Sequence, residues 1–153
     1  MSDQAPRRFR VDNGFVGGAE GIVFGIVVFV FGILLMFNAW AVVDTKMAVS
    51  SAARETARTY VESDGSSAAA FDAGHNAFAA TSNFDPTSLS APQIDGEFRR
   101  CGRIDVTYTY TVPAISLPGG FGWGGGFEVT ATHSELVDPF RSGLDGEALC
   151  DIP

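Results

Sequence analysis

Between Glu20 and Asp44 the sequence has no charged side chain, and Asn38 is the only strongly polar residue of that stretch. This absence excludes a surface helix of a small soluble domain, because a helix apolar on every side has no face to offer water. Residues 21–43 number about 23 and as a helix reach about 34 Å, against about 30 Å for the hydrocarbon core of a bilayer. One membrane crossing is therefore expected. Basic residues are also scarce, ten Lys and Arg against eighteen Asp and Glu, for a net charge of −8. Three of the ten, Arg7, Arg8 and Arg10, lie in the first 13 residues, so the acidic excess falls after Val43. An acidic domain argues against a nucleic-acid partner, which needs a basic patch.

Histidine and cysteine are equally thin. His75 and His133 are isolated, and Ser134 beside His133 points to the other side of a strand. No G-x-S-x-G, H-E-x-x-H or paired-carboxylate motif is present, so no catalytic residue is assigned and an enzyme is not expected. Cys101 and Cys150 with the distant histidines match no ligand spacing, so neither a metal nor a cofactor is expected. Both cysteines follow the apolar stretch, on the side where a disulfide is permitted. A bridge would close a loop of about 50 residues and contribute roughly 4 kcal/mol in the chain-entropy description. A disulfide is the favoured state, with free thiols as the alternative.

The basic leader places the N-terminus in the cytoplasm and the C-terminal region outside. Its charges also fit a cleaved secretory signal. The apolar core is too long for one, however, and before Asp44 the segment Asn38-Ala39-Trp40-Ala41 is a poor small-x-small site, so a retained anchor is expected. Glu20 stands at the front of the span. It reads either as a carboxylate inside the membrane's edge, which is costly and usually functional, or as a solvated residue in a helix's first turn. Gly17, Gly21 and Gly25 recur at four-residue spacing and read as a face for close helix packing. Glycine is also common in membrane helices generally.

The helical pattern continues past the span. Trp40, Val43, Met47, Ser50, Ala53, Ala57 and Tyr60 recur at three or four residues, and no Gly or Pro interrupts residues 38–64. The helix is expected to end at Asp64 and Gly65 with Gly65 as its cap, after about 70 Å. Part of that narrow stripe must meet the domain or a neighbouring subunit. Ser66 and Ser67 are N-cap residues for a second helix over 68–80, with Phe71, Gly74 and Phe78 on one face. Residues 89–94 read as an edge strand because Pro92 bars a central position.

Residues 103–113 alternate cleanly. Ile104, Val106, Tyr108, Tyr110 and Val112 point one way, and Asp105, Thr107, Thr109 and Thr111 the other. Residues 127–137 are the expected partner strand. The glycine-rich segment 117–126 between them is a hairpin loop and not a phosphate loop, because it leads into a strand instead of a helix. Phe121 and Trp123 on it are candidates for touching a membrane surface or a partner. The expected fold class is α+β: one long N-terminal transmembrane helix extending outward, a short second helix, and a small antiparallel sheet of two or three strands with a long Gly-rich hairpin. The expected division is a cytoplasmic leader 1–13, the helix 14–65 and an extracytoplasmic domain 66–153.

A short basic leader, a glycine-containing junction, Glu20, one long apolar helix and then Ala52-Ala53-Arg54-Glu55-Thr56-Ala57-Arg58 together resemble the TadE-like pseudopilins of the tight-adherence (Tad, Flp) pilus system. The likeness covers mainly residues 12–61, and the segment 52–58 is its most specific part. It implies a minor pilin-like structural subunit of pilus assembly or secretion, held as a single-pass protein in a bacterial inner membrane. Its implied partners are the lipid bilayer, other pilus subunits, the membrane assembly platform and a prepilin peptidase cutting between Gly14 and Phe15. Glu20 matches the family's glutamate, which is thought to meet the free amine of a neighbouring processed subunit. Cleavage after Gly14 makes Glu20 the sixth residue, where the family pattern has the fifth. A rival reading is a single-span membrane-anchored binding module that captures an extracellular ligand through Phe121 and Trp123.

Overall fold

A computed structural model of the chain describes residues 14–114, 125–146 and 149–150, with side chains from Gly18 onward apart from Ala19. The order of elements is α1 (Gly14–Glu62), α2 (Ser67–Thr81), a 3-10 turn (Pro86–Ser88), β1 (Gln93–Asp95), β2 (Arg103–Pro113) and β3 (Gly126–Leu136). This is the expected α+β arrangement. The chain divides into two compact units at Met36 and Phe37, inside α1. The expected division set the whole helix apart from the domain. The observed one falls earlier because the second half of α1 is itself part of the globular core.

The first unit is helical from Gly14. Its large apolar side chains, among them Ile22, Phe24, Phe29 and Leu35, are exposed. The helix is long and apolar enough to cross a membrane.

In the second unit the strands form an antiparallel sheet in the order β1-β2-β3. β2 occupies the centre because its eleven residues contain no proline before Pro113, so both of its backbone edges are free to pair. Its pairing with β3 runs from Arg103 opposite Leu136 to Pro113 opposite Gly126. Pro92 ends just before β1, which pairs over only three residues, Gln93 with Thr107 to Asp95 with Asp105. Ile104, Val106, Tyr108, Tyr110 and Val112 are buried, as the alternation demanded. Val129 and Ala131 continue that face on β3.

α1 covers this face with a seam that keeps Ala53, Ala57 and Tyr60 of the expected stripe and departs from it at the four earlier positions. The buried positions are Thr45, Ala48, Val49, Ala52, Ala53, Thr56, Ala57 and Val61. Trp40, Val43 and Met47 are instead 71%, 55% and 60% exposed, and Ser50 is exposed. Periodicity alone cannot choose between two faces that repeat equally well. Side-chain volume chooses here: an alanine seam lets the helix lie close on a sheet that already carries two tyrosines. Thr45 is buried at no polar cost because its hydroxyl donates to the Ala41 carbonyl at 2.8 Å.

α2 crosses α1 where neither helix has bulk. A Cβ built on Gly74 would lie 1.9 Å from Thr56 Oγ1, 2.7 Å from the Tyr108 hydroxyl and 3.1 Å from the Ala52 carbonyl oxygen. Thr56 Oγ1 and the Tyr108 hydroxyl form a buried hydrogen bond of 3.0 Å. Ala70, Gly74 and Phe78 are the buried face of α2. Phe71, expected on that face, is 39% exposed and stacks on His75 at 5.8 Å. It sits one position beyond the true face, which Ala70 occupies. Phe78 lies 5.1 Å from the Tyr110 ring.

α1 stops at Glu62, short of the expected Asp64 and Gly65. The Gly65 N–H returns to the Tyr60 carbonyl at 3.0 Å. Asp64 takes the left-handed conformation (φ 56°) that the expected Gly65 cap would have taken, and Gly65 follows at φ 77°. This is a Schellman ending with an acidic residue at the left-handed position. Aspartate tolerates that conformation better than most side chains.

Two consequences can be measured on the full chain in detergent. Gly74→Ala raises intrinsic helix propensity by about 1 kcal/mol, yet the crowding at the crossing is expected to lower stability by about 1–3 kcal/mol in denaturant titration. A gain in stability would contradict the close crossing. Burial raises the Tyr108 phenol above its ordinary value of 10.0, against the smaller lowering effect of Thr56, and burial and then Asp85 raise Tyr110. The folded state thus holds these protons more tightly. Their contribution is complete below pH 10 and is lost as pH rises through the raised values, because the unfolded chain ionises first. Tyr108→Phe is expected to flatten that alkaline loss without abolishing it, since Tyr110 remains.

Candidate functional site

Glu20 begins one flank of the apolar helix. Three, four and seven residues on, Val23, Phe24 and Val27 line the same shallow, apolar depression as Glu20. Glu20 is exposed, and it forms no ion pair among the described residues. Gly21 and Gly25 lie on another flank, since residues one apart on a helix do not face together. A Cβ at either glycine would meet nothing within 4 Å, and the same holds at Gly18 and Gly32. The carboxylate and the Gly21–Gly25 pair are therefore two neighbouring surfaces. Gly14 and Phe15, the candidate processing site, open α1, and with Gly17 their surroundings lie outside the described side chains. Phe121 and Trp123 also lie outside the described residues.

The segment 52–58 has a packing explanation. Ala52, Ala53 and Ala57 are fully buried against the sheet, and Thr56 makes the bond to Tyr108. Arg54 and Arg58 face solvent. Arg58 pairs with Glu62 at 2.8 Å one turn on, with both side chains 61% exposed. A pair so exposed is screened by water and contributes little to stability. The alanines set the helix–sheet spacing, and the arginines keep the opposite side wet.

The tail from Asp138 onward, expected only to be pinned to the sheet by the disulfide, carries a clamp. α1 ends with no basic residue in its last turn. Arg141 supplies one from far along the chain. Its guanidinium donates to the Val61 carbonyl, to the Glu62 carbonyl at 3.0 Å and to Asp64 Oδ1 at 2.6 Å. It also lies over the Phe98 ring at 5.6 Å, and Phe98 meets Tyr60 edge-on at 5.8 Å. Arg100 Nε donates to the Arg141 carbonyl at 2.9 Å, which holds the clamp in place. The last-turn carbonyls left without partners by the helix are thus capped by a positive group, as the helix dipole favours. The bare last turn was the only local sign that a distant cation was needed.

Cys101 and Cys150 form the expected disulfide, with Cα atoms 5.2 Å apart. Cys101 has φ 60°, its N–H donates to the Val137 carbonyl at 3.1 Å, and the Val137 N–H donates to Gly102 at 2.9 Å. The bridge therefore ties the tail to the foot of the β2–β3 hairpin. Among the described residues no three His, Cys, Asp or Glu side chains converge on a metal-sized space.

The outer face of the sheet is a ladder of hydroxyls. Thr107 meets Thr132 at 2.8 Å and Thr109 meets Thr130 at 3.1 Å. Arg103 donates to Asp105 at 3.1 Å and to Ser134 at 2.7 Å, and Ser134 also donates to Asp105. Ser134 first, then Arg103, lowers the Asp105 carboxyl below its ordinary value. His133 lies on the other face, 3.5 Å from Glu135. Ser134 and His133 are adjacent in sequence and are not brought together.

Comparisons of the chain with family models, with curated proteins and with solved structures give no match.

Arg141→Ala is expected to lower stability by roughly 1–3 kcal/mol, because charged hydrogen bonds to the helix end are lost. Arg141→Lys restores only part, since one ammonium cannot span the fork. Thiol labelling of freshly isolated, unreduced protein is expected to modify neither cysteine, and full labelling of both would contradict the bridge.

Proposed function

We propose that this chain is a TadE-like minor pseudopilin: a single-span subunit whose apolar helix holds it in a bacterial inner membrane, with the α+β unit outside. The reading is supported most by Glu20, an exposed carboxylate set beside Val23, Phe24 and Val27 at the front of a charge-free helix. Such a group in lipid requires a cation. The free amine of a neighbouring processed subunit is one of matching charge, and Gly21 and Gly25 leave room on the adjacent flank for a helix to come close. The three leader arginines favour an N-terminus in the cytoplasm. The segment 52–58 has its place in this reading as the part of α1 that packs inside the α+β unit. The rival binding module depends on Phe121 and Trp123, and no structural observation favours it.

The test is Glu20→Ala in cells. The apolar run is intact, so the variant is expected to insert and accumulate. It should nonetheless lose crosslinks to other pilus subunits and fail to support surface piliation. Leaving a partner charge unpaired in the membrane corresponds to roughly a hundredfold or greater drop in the association constant. Glu55→Ala, beyond the span, should have little effect. Normal crosslinking and piliation with Glu20→Ala would show that the carboxylate is not an assembly contact.

A further inference from the structure

We infer that the globular unit rests directly on the lipid surface, with Trp40, Val43 and Phe127 seated among the phospholipid headgroups at the end where α1 enters. This rests on the single-span reading and goes beyond it, since a span by itself leaves the domain free to stand off the bilayer.

Three ties set the direction of α1 against the hairpin. Tyr60 meets Phe98, Thr56 meets Tyr108, and the Lys46 ammonium donates to the Thr130 carbonyl. Going back along α1 thus goes toward the Pro113–Gly126 end of the sheet. Lys46 is six residues past Trp40, about 9 Å along the helix. From Thr130 to Phe127 is three strand residues, about 10 Å in the return direction. Phe127 therefore comes level with Trp40 or nearly so.

Trp40 is at the depth where the membrane should end. It follows Glu20 by 20 residues, about 30 Å of helix. Tryptophan favours that boundary. The first charges, Asp44 and Lys46, come one to two turns later. There is no linker in between: Ala41 and Val42 already pack against the core. Phe127 shares the helix-facing side of β3 with Val129 and Ala131, and its partner Val112 is 1% exposed, yet Phe127 itself is 44% exposed. Val43 and Trp40 are open in the same unit at 55% and 71%. Apolar groups left open at the level where the helix leaves lipid are covered most simply by the interfacial layer itself.

The experiment uses the full chain in vesicles of phosphatidylethanolamine and phosphatidylglycerol. In a Trp40→Phe, Trp123→Phe background, single reporters are introduced as Phe127→Trp, Met47→Trp and Phe29→Trp. Lipids carry nitroxide quenchers at the headgroup or at mid-chain. Phe127→Trp is expected to emit to the blue and to lose most of its emission to the headgroup label. Met47→Trp, about 10 Å farther along α1, should lose less, and Phe29→Trp should respond to the mid-chain label. The native Trp40, read alone in Trp123→Phe, should match Phe127→Trp in depth, which guards against local disturbance by the new ring. If Phe29→Trp is quenched while Phe127→Trp emits as in water and ignores both labels, the domain stands off and the inference falls. If Phe29→Trp is not quenched either, the span reading falls first and takes this one with it. Shielding of Phe127→Trp that disappears on dilution with excess lipid would assign the cover to a second copy of the chain, which also overturns it.

Discussion

The globular unit depends on how closely α1 can approach the sheet. Two tyrosines, Tyr108 and Tyr110, fill the middle of β2, so the helix above them must be nearly bare. Ala48, Ala52, Ala53 and Ala57 meet that requirement, and Gly74 meets it again where α2 crosses. The close approach traps one polar pair, Thr56 with the Tyr108 hydroxyl, which satisfy each other at 3.0 Å. An unpartnered buried hydroxyl would be destabilising, while a paired one fixes the angle between helix and strand. Small residues on the helices and large ones on the sheet are thus one constraint seen from two sides.

The same helix then has to end inside a structured region, and its end is finished from outside. A Schellman turn closes part of it through Tyr60 and Gly65. Arg141 closes the rest from a segment without regular structure, while Cys101–Cys150 and Arg100 hold that segment. The tail is therefore a brace for the far end of the helix. Its irregular backbone is consistent with this role, since a single guanidinium and one bridge need no strand or helix to carry them.

These arrangements divide α1 by task along its length. Up to Met36 its apolar side chains face outward on every side, with Glu20 as the one ionisable group among the described side chains. Beyond Phe37 one side is given to the sheet, and the Arg54 and Arg58 side to water. The proposed assembly role draws on the first part and a stable folded head on the second.

Much of this was legible in the residues themselves. The charge-free run, the long helix, the alternation of β2 and its pairing with residues near 127–137 follow from local periodicity, which the backbone obeys regardless of what packs on it. The disulfide followed from having two cysteines in one compartment. The side of α1 that would be buried was not legible. Trp40, Val43 and Met47 continue the same spacing as Ala53 and Ala57, which are buried, yet they are open, and only the bulk of Tyr108 and Tyr110 on the facing sheet favours the smaller Thr45, Ala48 and Ala52. Phe71 was misplaced by one position for the same reason, because an apolar side chain at helical spacing does not say where the neighbouring helix lies. Arg141 could not be found at all, since its partners are carbonyls some 80 residues earlier that sequence does not display. Periodicity and composition determined the elements. Steric fit between elements distant in the chain, which no local pattern encodes, decided their faces, their crossing and the closure of the long helix.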